Sequence, residues 1–426
     1  MVVETRRETV TDTFHGVEVS EDHRWLEDSS SEETRAWTAA QDAETRAYLD
    51  AVPGREAIRS RLQEILAVDS TSYDQVKRGG STYFLLKRQP PLQQPFLVTL
   101  ADLGDTAGER VLVDPNALDA GGRTTIDFFV PSPDGSRVAV SLSKDGTERG
   151  TVFVHDVETG KQVGEPLDRV NTGTAGGSLA WKHDSTGFWC TRHPVPGTVP
   201  EADQEFYQDV AYHDLDSGSF EVELTGVFAD NRIAENFLSS SPDGRWVMDR
   251  VQRGDGGEWQ VFVRPQEDAG VWTMLADIPE QCLEAVFGGG GLFLLSTKDA
   301  PHGQVLRQPL GTPLPEFAPE VVVPASDVTI EDVAVTAGRL WVVDIDGGPS
   351  GIRAFTHDGD PRVEAWHAKK MTAALQAATT GDGPILLRME SGGHGIGQSL
   401  DQLVGLNTDY YTFLVDRLGL VYPASA

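Results

Sequence analysis

The sequence predicts a mostly β protein in which a short antiparallel unit recurs six times, followed by a small α/β segment. Three observations carry the prediction. After residue 70, β-branched and aromatic runs alternate with clusters of Gly, Pro, Asp and Ser until about residue 358. A turn glycine followed by an apolar run recurs at Gly80, Gly135, Gly187, Gly244, Gly291 and Gly338, at spacings of 55, 52, 57, 47 and 47 residues. Two of these marks share one tetrapeptide, Ser132-Pro133-Asp134-Gly135 and Ser241-Pro242-Asp243-Gly244, and His183-Asp184-Ser185-Thr186-Gly187 is a looser version. Proline presets φ at one corner of such a turn and glycine tolerates positive φ at another. A period of roughly 50 residues with several short strands per unit is the pattern of a β-propeller. A pair of β-sandwiches is the alternative, and six marks in register favour the propeller.

The elements follow in chain order. Residues 28–66 read as helix, with Asp28 and Ser29–Ser31 as caps and Glu32 and Glu33 in the first turn, where the helix dipole favours acids. Ala36, Trp37, Ala40, Ala43, Ala47 and Tyr48 keep helical spacing; Pro53-Gly54 breaks it before Ile58, Leu62, Ile65 and Leu66 resume it. Within the repeats, TVFVHDVETG at 151–160 reads as a strand entering a hairpin turn. Residues 364–378 read as a helix and 384–390 (PILLRME) as a buried strand. A glycine-rich loop, SGGHGIG, follows, and then a helix from Ser399 to about Leu418. This last piece has the grammar of an α/β fragment but is too short to build a doubly wound sheet alone.

Composition narrows the function classes. The 426 residues hold 35 Lys+Arg against 66 Asp+Glu, a net charge of −31, which argues against a general binder of nucleic acid or anionic membrane. No apolar run reaches the ~18 residues of a membrane span, and MVVETRRETV lacks a signal-like apolar stretch. The expectation is a soluble, acidic, cytoplasmic monomer. Cys190 and Cys282 lie too far apart in sequence to suggest a disulfide scaffold or a cysteine zinc site. No H-E-x-x-H spacing and no Walker-type loop occurs, so neither metal nor cofactor is expected.

Two residues invite a catalytic reading. His394, in Gly392-Gly393-His394-Gly395, follows an apolar run directly, and glycine flanks let an imidazole stand clear at a strand end. Asp360, in Asp360-Pro361-Arg362, lies 34 residues earlier; an acid followed by a late histidine is the chain order of α/β-hydrolases. Taken alone, the histidine reads as a solvated turn residue and the aspartate as a loop residue. The strained G-x-S-x-G turn that would present a serine nucleophile is absent. Ser350 lies in the last repeat, Ser391 lies in the histidine loop itself, and Cys190 and Cys282 fall in or beside predicted repeat strands.

The chain resembles the prolyl oligopeptidases, serine peptidases in which a β-propeller caps an α/β-hydrolase domain. The resemblance rests on Asp12-Thr13-Phe14-His15-Gly16 through Asp22-His23-Arg24-Trp25-Leu26-Glu27-Asp28, on the segment Glu33 to Tyr48, on the SPDG turn with SLSKDGTERGTVFVHDVETG, on DIDGGPSGIRAFTHDG, and on the tail from Asp360 to Leu420. It implies a six-bladed remnant of a seven-bladed propeller at 72–358. Residues 1–71 would be the N-terminal helical segment of the peptidase domain and 359–426 its C-terminal hydrolase remnant. It makes Asp360 the triad acid, His394 the general base and Arg362 a substrate-binding cation. A last blade and most of the hydrolase domain would belong between His357-Asp358-Gly359 and Asp360, which are adjacent here. The resemblance therefore implies a peptidase that cleaves short peptides after proline, internally truncated and inactive for lack of its serine. A non-catalytic propeller that binds a peptide or protein is the alternative, and a decayed product without a stable fold is a third reading. The N-terminal helices are expected to pack on the C-terminal fragment, leaving Trp25, Leu26, Trp37 and Tyr48 in an exposed apolar patch.

Overall fold

The computed structural model describes residues 3–68, 70–227, 232–254, 256–267, 270–336, 339–345, 366–378, 385–389 and 398–417. The repeats form a succession of antiparallel sheets, each a meander in sequence order. Blade 1 comprises Ser72–Gly79, Thr82–Arg88, Phe96–Leu100 and Arg110–Val113, and blade 2 Thr124–Pro131, Arg137–Lys144, Gly150–Asp156 and Gln162–Asn171. Blade 3 comprises Leu179–Trp181, Gly187–Arg192, Asp209–Asp214 and Phe220–Leu224; blade 4 Glu235–Ser240, Trp246–Gln252, Gln260–Pro265 and Thr273–Ala276. Blade 5 comprises Cys282–Gly288, Gly291–Ser296, Gln304–Pro309 and Glu320–Val323. Blade 6 has two described strands, Thr329–Thr336 and Arg339–Ile345, rather than four; the stretch expected to complete it, 346–358, lies outside the described residues.

Burial on both faces of each sheet explains the continuous apolar runs. In GFWC, Phe188 and Cys190 pack toward blade 2, whereas Trp189, with opposite strand parity, packs toward blade 4. Equivalent cores join blades 1 and 2 through Phe84, Leu97, Phe129 and Val140, blades 4 and 5 through Trp246, Met248 and Leu294, and blades 5 and 6 through Leu295, Val305, Ile330 and Val333. Five successive sheet-to-sheet interfaces cannot arise from two sheets packed face to face. First strands of blades 1 to 4 together line one cavity of about 600 Å³, as strands around a shared axis must.

The turn glycines lie between the first and second strands, or at the start of the second, in blades 1 to 5; Gly338 is outside the described residues. Their role exceeds turn geometry. Gly135 has φ +75° and faces the turn of blade 1, where a Cβ would meet Gly79 O at 2.3 Å; Gly80 reciprocates against Asp134 O. Two turns thus touch backbone to backbone, with Gly80 N–H donating to Pro133 O at 2.8 Å. Gly135→Ala is expected to lower unfolding stability by about 2 kcal/mol or more, combining left-handed strain with that collision. Urea melts would check it; a loss below about 0.5 kcal/mol would contradict the close approach.

Two helices, α1 (Glu32–Asp50) and α2 (Arg55–Leu66), precede the blades, and α3 (Trp366–Ala378) and α4 (Leu400–Arg417) follow them. Ser31 caps α1 by accepting Thr34 N–H at 3.0 Å. Ser399 and Gln402 form a reciprocal capping box at the start of α4: Gln402 N–H reaches Ser399 Oγ at 3.2 Å and Ser399 N–H reaches Gln402 Oε1 at 2.8 Å. As expected, the N-terminal helices pack on the C-terminal segment. Leu26 and Trp37 share a core with Ala373 of α3 and Leu387.

Two expectations are corrected here. Leu26 is fully buried, Trp37 is buried and Trp25 and Tyr48 are partly covered, because α3, α4 and residues 385–389 lie over them. Exposed apolar side chains sit instead on the outer side of α3, at Met371 and Leu375, one turn apart. Residues 385–389 form no strand ladder. No described strand is adjacent to pair with them. Side chains take up their carbonyls instead: Thr45 Oγ1 donates to Leu387 O at 2.8 Å and Gln376 Nε2 to Ile385 O at 2.8 Å.

Candidate functional site

Asp360, Arg362 and His394 lie outside the described residues, as do Ser350 and Ser391. The structure describes the frame that flanks them. Gln376, before the His394 loop, exchanges amide hydrogen bonds with Gln41 of the N-terminal segment at 3.1 and 3.2 Å, and across the loop Arg388 Nε donates to Asp409 Oδ2 at 2.6 Å.

Asp409 on α4 is the hub of this frame. Arg46 of α1 lies 2.8 Å from its Oδ2 and Arg55 of α2 lies 2.6 Å from its Oδ1. Burial alone would raise this carboxyl, but the guanidiniums of Arg46, Arg388 and Arg55 prevail and hold it below the usual carboxylate range. Three cations from three segments on one buried acid join residues far apart in sequence, and α4 in turn meets the blades, where Asp401 N–H donates to Gln93 Oε1 at 3.1 Å.

The stretch Asp22-His23-Arg24-Trp25-Leu26-Glu27 proves to be a structural clasp. Arg24 binds Asp12 and Glu21, Arg7 binds Asp22, and Trp25 Nε1 donates to Arg6 O at 3.0 Å. Lys370 of α3 pairs with Glu21 and Glu27, so the clasp fastens the hairpin of Val10–Phe14 and Val17–Glu21 to the C-terminal segment.

Neither cysteine can replace a serine. Cys190 and Cys282 are wholly buried, and burial pushes both thiols up to about 12, so each stays protonated and inaccessible near neutrality. Among the described residues no group of three or more His, Cys, Asp or Glu side chains is placed to hold a metal ion. Nor is any described helix long and apolar enough to cross a membrane.

Sequence reading missed several ionisable groups inside the blades. Asp127, on the first strand of blade 2, accepts hydrogen bonds from Ser141 and Ser143, and burial pushes it up to about 6. His193 is buried with Nε2 3.0 Å from Thr172 Oγ1, and burial pushes it down to about 3. Lys77, facing the axial cavity, donates to Phe129 O at 2.7 Å and lies over the Phe129 ring. Its signal was a charged pair, Lys77-Arg78, at the end of the first strand of blade 1, where the first strands of blades 2 to 4 end in FFVP, LAW and FLSS.

A family model described as prolyl oligopeptidase, N-terminal beta-propeller domain, matches residues 3–391. The chain belongs to the prolyl oligopeptidase family. A prolyl endopeptidase of Elizabethkingia meningoseptica is 25% identical over 329 residues, covering 76% of this chain and 45% of that protein. Prolyl oligopeptidase A of Galerina marginata is 24% identical over 374 residues, covering 81% of this chain and 50% of that one. Among solved structures, one from a study of two prolyl endopeptidases superposes with a TM-score of 0.70 at 23% identity, over 81% of this chain and 50% of that one. Prolyl oligopeptidase B from Galerina marginata, bound to a 25mer macrocyclization substrate, gives 0.65 at 18% identity, over 78% and 49%. These superpositions speak to fold. The chain spans about half the length of the prolyl oligopeptidase relatives it matches.

Proposed function

We propose that this chain is a prolyl oligopeptidase-like serine peptidase that carries the propeller and both ends of the hydrolase domain but not the nucleophile, and that it does not hydrolyse peptides. The observation that carries this reading is the frame around Asp409, which draws the N-terminal helices and the C-terminal tail into one unit beside the blades although some 340 residues separate them. We assign 1–71 and 359–426 to the hydrolase remnant and 72–358 to the propeller, a division supported by the ion pairs that tie α1 and α2 to α4. Helix α3 is assigned to the remnant, although the propeller-domain match runs to 391, because it packs on Leu26 and Trp37.

In this reading Asp360 orients His394, His394 is the general base, and Arg362 binds a carbonyl or carboxylate of a peptide. A nucleophile, the oxyanion donors and most sheet strands would be lost through an internal deletion at residues 359–360. General-base catalysis alone supplies roughly 10²–10⁴-fold, far short of what peptide hydrolysis needs, and the covalent route and oxyanion stabilisation are missing. The protein is placed in the cytoplasm as a monomer, with short peptides as ligands and with neither nucleic acid nor membrane as partner. Purified protein incubated with a fluorogenic acyl-Gly-Pro amide is expected to release fluorophore no faster than its His394→Ala and Asp360→Asn variants. A rate that falls at least tenfold in both variants would restore the active-enzyme reading. The second reading, a propeller that binds a peptide without cleaving it, draws on the axial cavity.

A further inference from the structure

We propose that the axial cavity of the blades is a binding site for the carboxylate end of a short peptide, held by Lys77 and Arg78 on the first strand of blade 1. The cavity is about 600 Å³, within the range of small-ligand sites. Its seventeen described lining residues include Lys77, Arg78 and His183 but no aspartate or glutamate. That absence is notable in a chain with 66 acids and a net charge of −31, whose general field repels anions. Acids do stand at the nearby turns, but each is engaged within its own turn: Asp134 accepts from Ser132 and Ser136, and Asp243 from Ser241 and Arg245.

The two cations are arranged to receive an anion. Lys77 gives one N–H to Phe129 O and keeps two for a ligand. Its ammonium has been carried out of water with no acidic partner among the described residues, and burial accordingly pulls it below the usual lysine range. Arg78, the next residue on the strand, spends its Nε on Gly80 O, carries its guanidinium over the Tyr83 ring and also lines the cavity. Hydroxyls stand across from them. Ser178 Oγ accepts Leu238 N–H at 2.8 Å and retains its own proton to donate, and the buried Ser239 Oγ has no hydrogen-bond partner among the described residues. Phe128, Val130, Leu179, Trp181 and Leu238 supply an apolar wall for side chains of the ligand. Cations on one wall, hydroxyl donors and an apolar floor fit an organic carboxylate of peptide size better than a bare inorganic ion, which would leave the apolar surface unused.

The inference holds whether or not the chain cleaves peptides. Isothermal titration of the full chain with acetyl-alanyl-alanine, and separately with acetyl-alanyl-alaninamide, tests it. The free acid is expected to bind and the amide to bind at least about tenfold more weakly, since hydrogen bonds to charged groups are the stronger ones. Lys77→Met and Arg78→Gln are each expected to weaken the acid about tenfold and leave the amide unchanged, and rising salt should weaken the acid alone. Arg78 is exposed, so its variant reports even where Lys77→Met impairs folding. Equal binding of acid and amide, no binding of either at millimolar concentration, or acid binding unaffected in Arg78→Gln would overturn the proposal. Competition by inorganic phosphate as strong as that of the acid would replace the peptide with a free anion and overturn it equally.

Discussion

Asp409→Ala is expected to be the most damaging single substitution in the described frame, lowering stability by about 3 kcal/mol and loosening α4 from the N-terminal helices. The acid is almost wholly buried, its side chain 4% exposed, and Arg46, Arg55 and Arg388 converge on it. Removing one partner of a buried ion network leaves like charges uncompensated, a loss of about 3–5 kcal/mol in dry sites. The lower figure applies because Arg46 is about one-third exposed and partly screened. The pH dependence has a definite sign. Because the folded carboxyl titrates below its unfolded value of roughly 3.9, its contribution is fully present above that value and is lost as pH falls below it. Thermal melts at neutral pH should show the destabilisation, and amide exchange should show α4 losing protection before the blades. An unchanged melt would mean that the three arginines are held by something other than this acid.

Asp249→Asn should have the opposite effect and stabilise the protein by about 2 kcal/mol at pH 7. Asp249 sits in the second strand of blade 4, fully buried and opposite Leu238 and Phe262. Burial raises its carboxyl well above the ordinary value; the Arg250 charge and the Phe237 amide pull the other way without offsetting it. Among the described residues neither oxygen accepts a well-formed hydrogen bond. The folded state therefore holds a proton that the unfolded state releases, so stability contributed by the protonated group falls as pH rises above the unfolded carboxylate value. Wild-type protein should be less stable at pH 8 than at pH 5, and the asparagine variant should remove most of that slope. A variant less stable than wild type at both pH values would show that the carboxyl has a partner in the fold.

The fold was legible where local chemistry and periodicity agree. Ser31, Ser399 and the Pro53-Gly54 break announced the helix ends, and the glycine marks announced the turns of blades 1 to 5. What the marks could not show is why glycine is needed: Gly135 is required by the neighbouring turn of blade 1, a contact between residues more than fifty apart. PILLRME read as a buried strand because its composition is that of one, but a strand needs a neighbour. Here side chains of α1 and α3 bind its carbonyls instead. The expected apolar patch at Trp25 and Trp37 failed for a related reason, since the remnant closes over its own aromatic residues.

The candidate site was legible only as types of residue. Asp360, Arg362 and His394 were readable from glycine flanks, chain order and family resemblance, whereas the Asp409 hub carries no motif. It consists of single residues on helices and in the segment 385–389 that meet only after folding. Lys77 and Arg78 carried only the weak signal of two charges in a strand; that Lys77 meets Phe129 of the next blade emerges only once the sheets pack.

The proposed inactivity rests on the missing nucleophile. Intact mass of the purified full chain after incubation with excess of a serine-directed fluorophosphonate tests it most directly, since labelling requires an activated hydroxyl beside a general base and does not depend on peptide preference. An unmodified mass after prolonged incubation is the expected result. One stoichiometric adduct, mapped to any serine of the chain and abolished by His394→Ala, would contradict it.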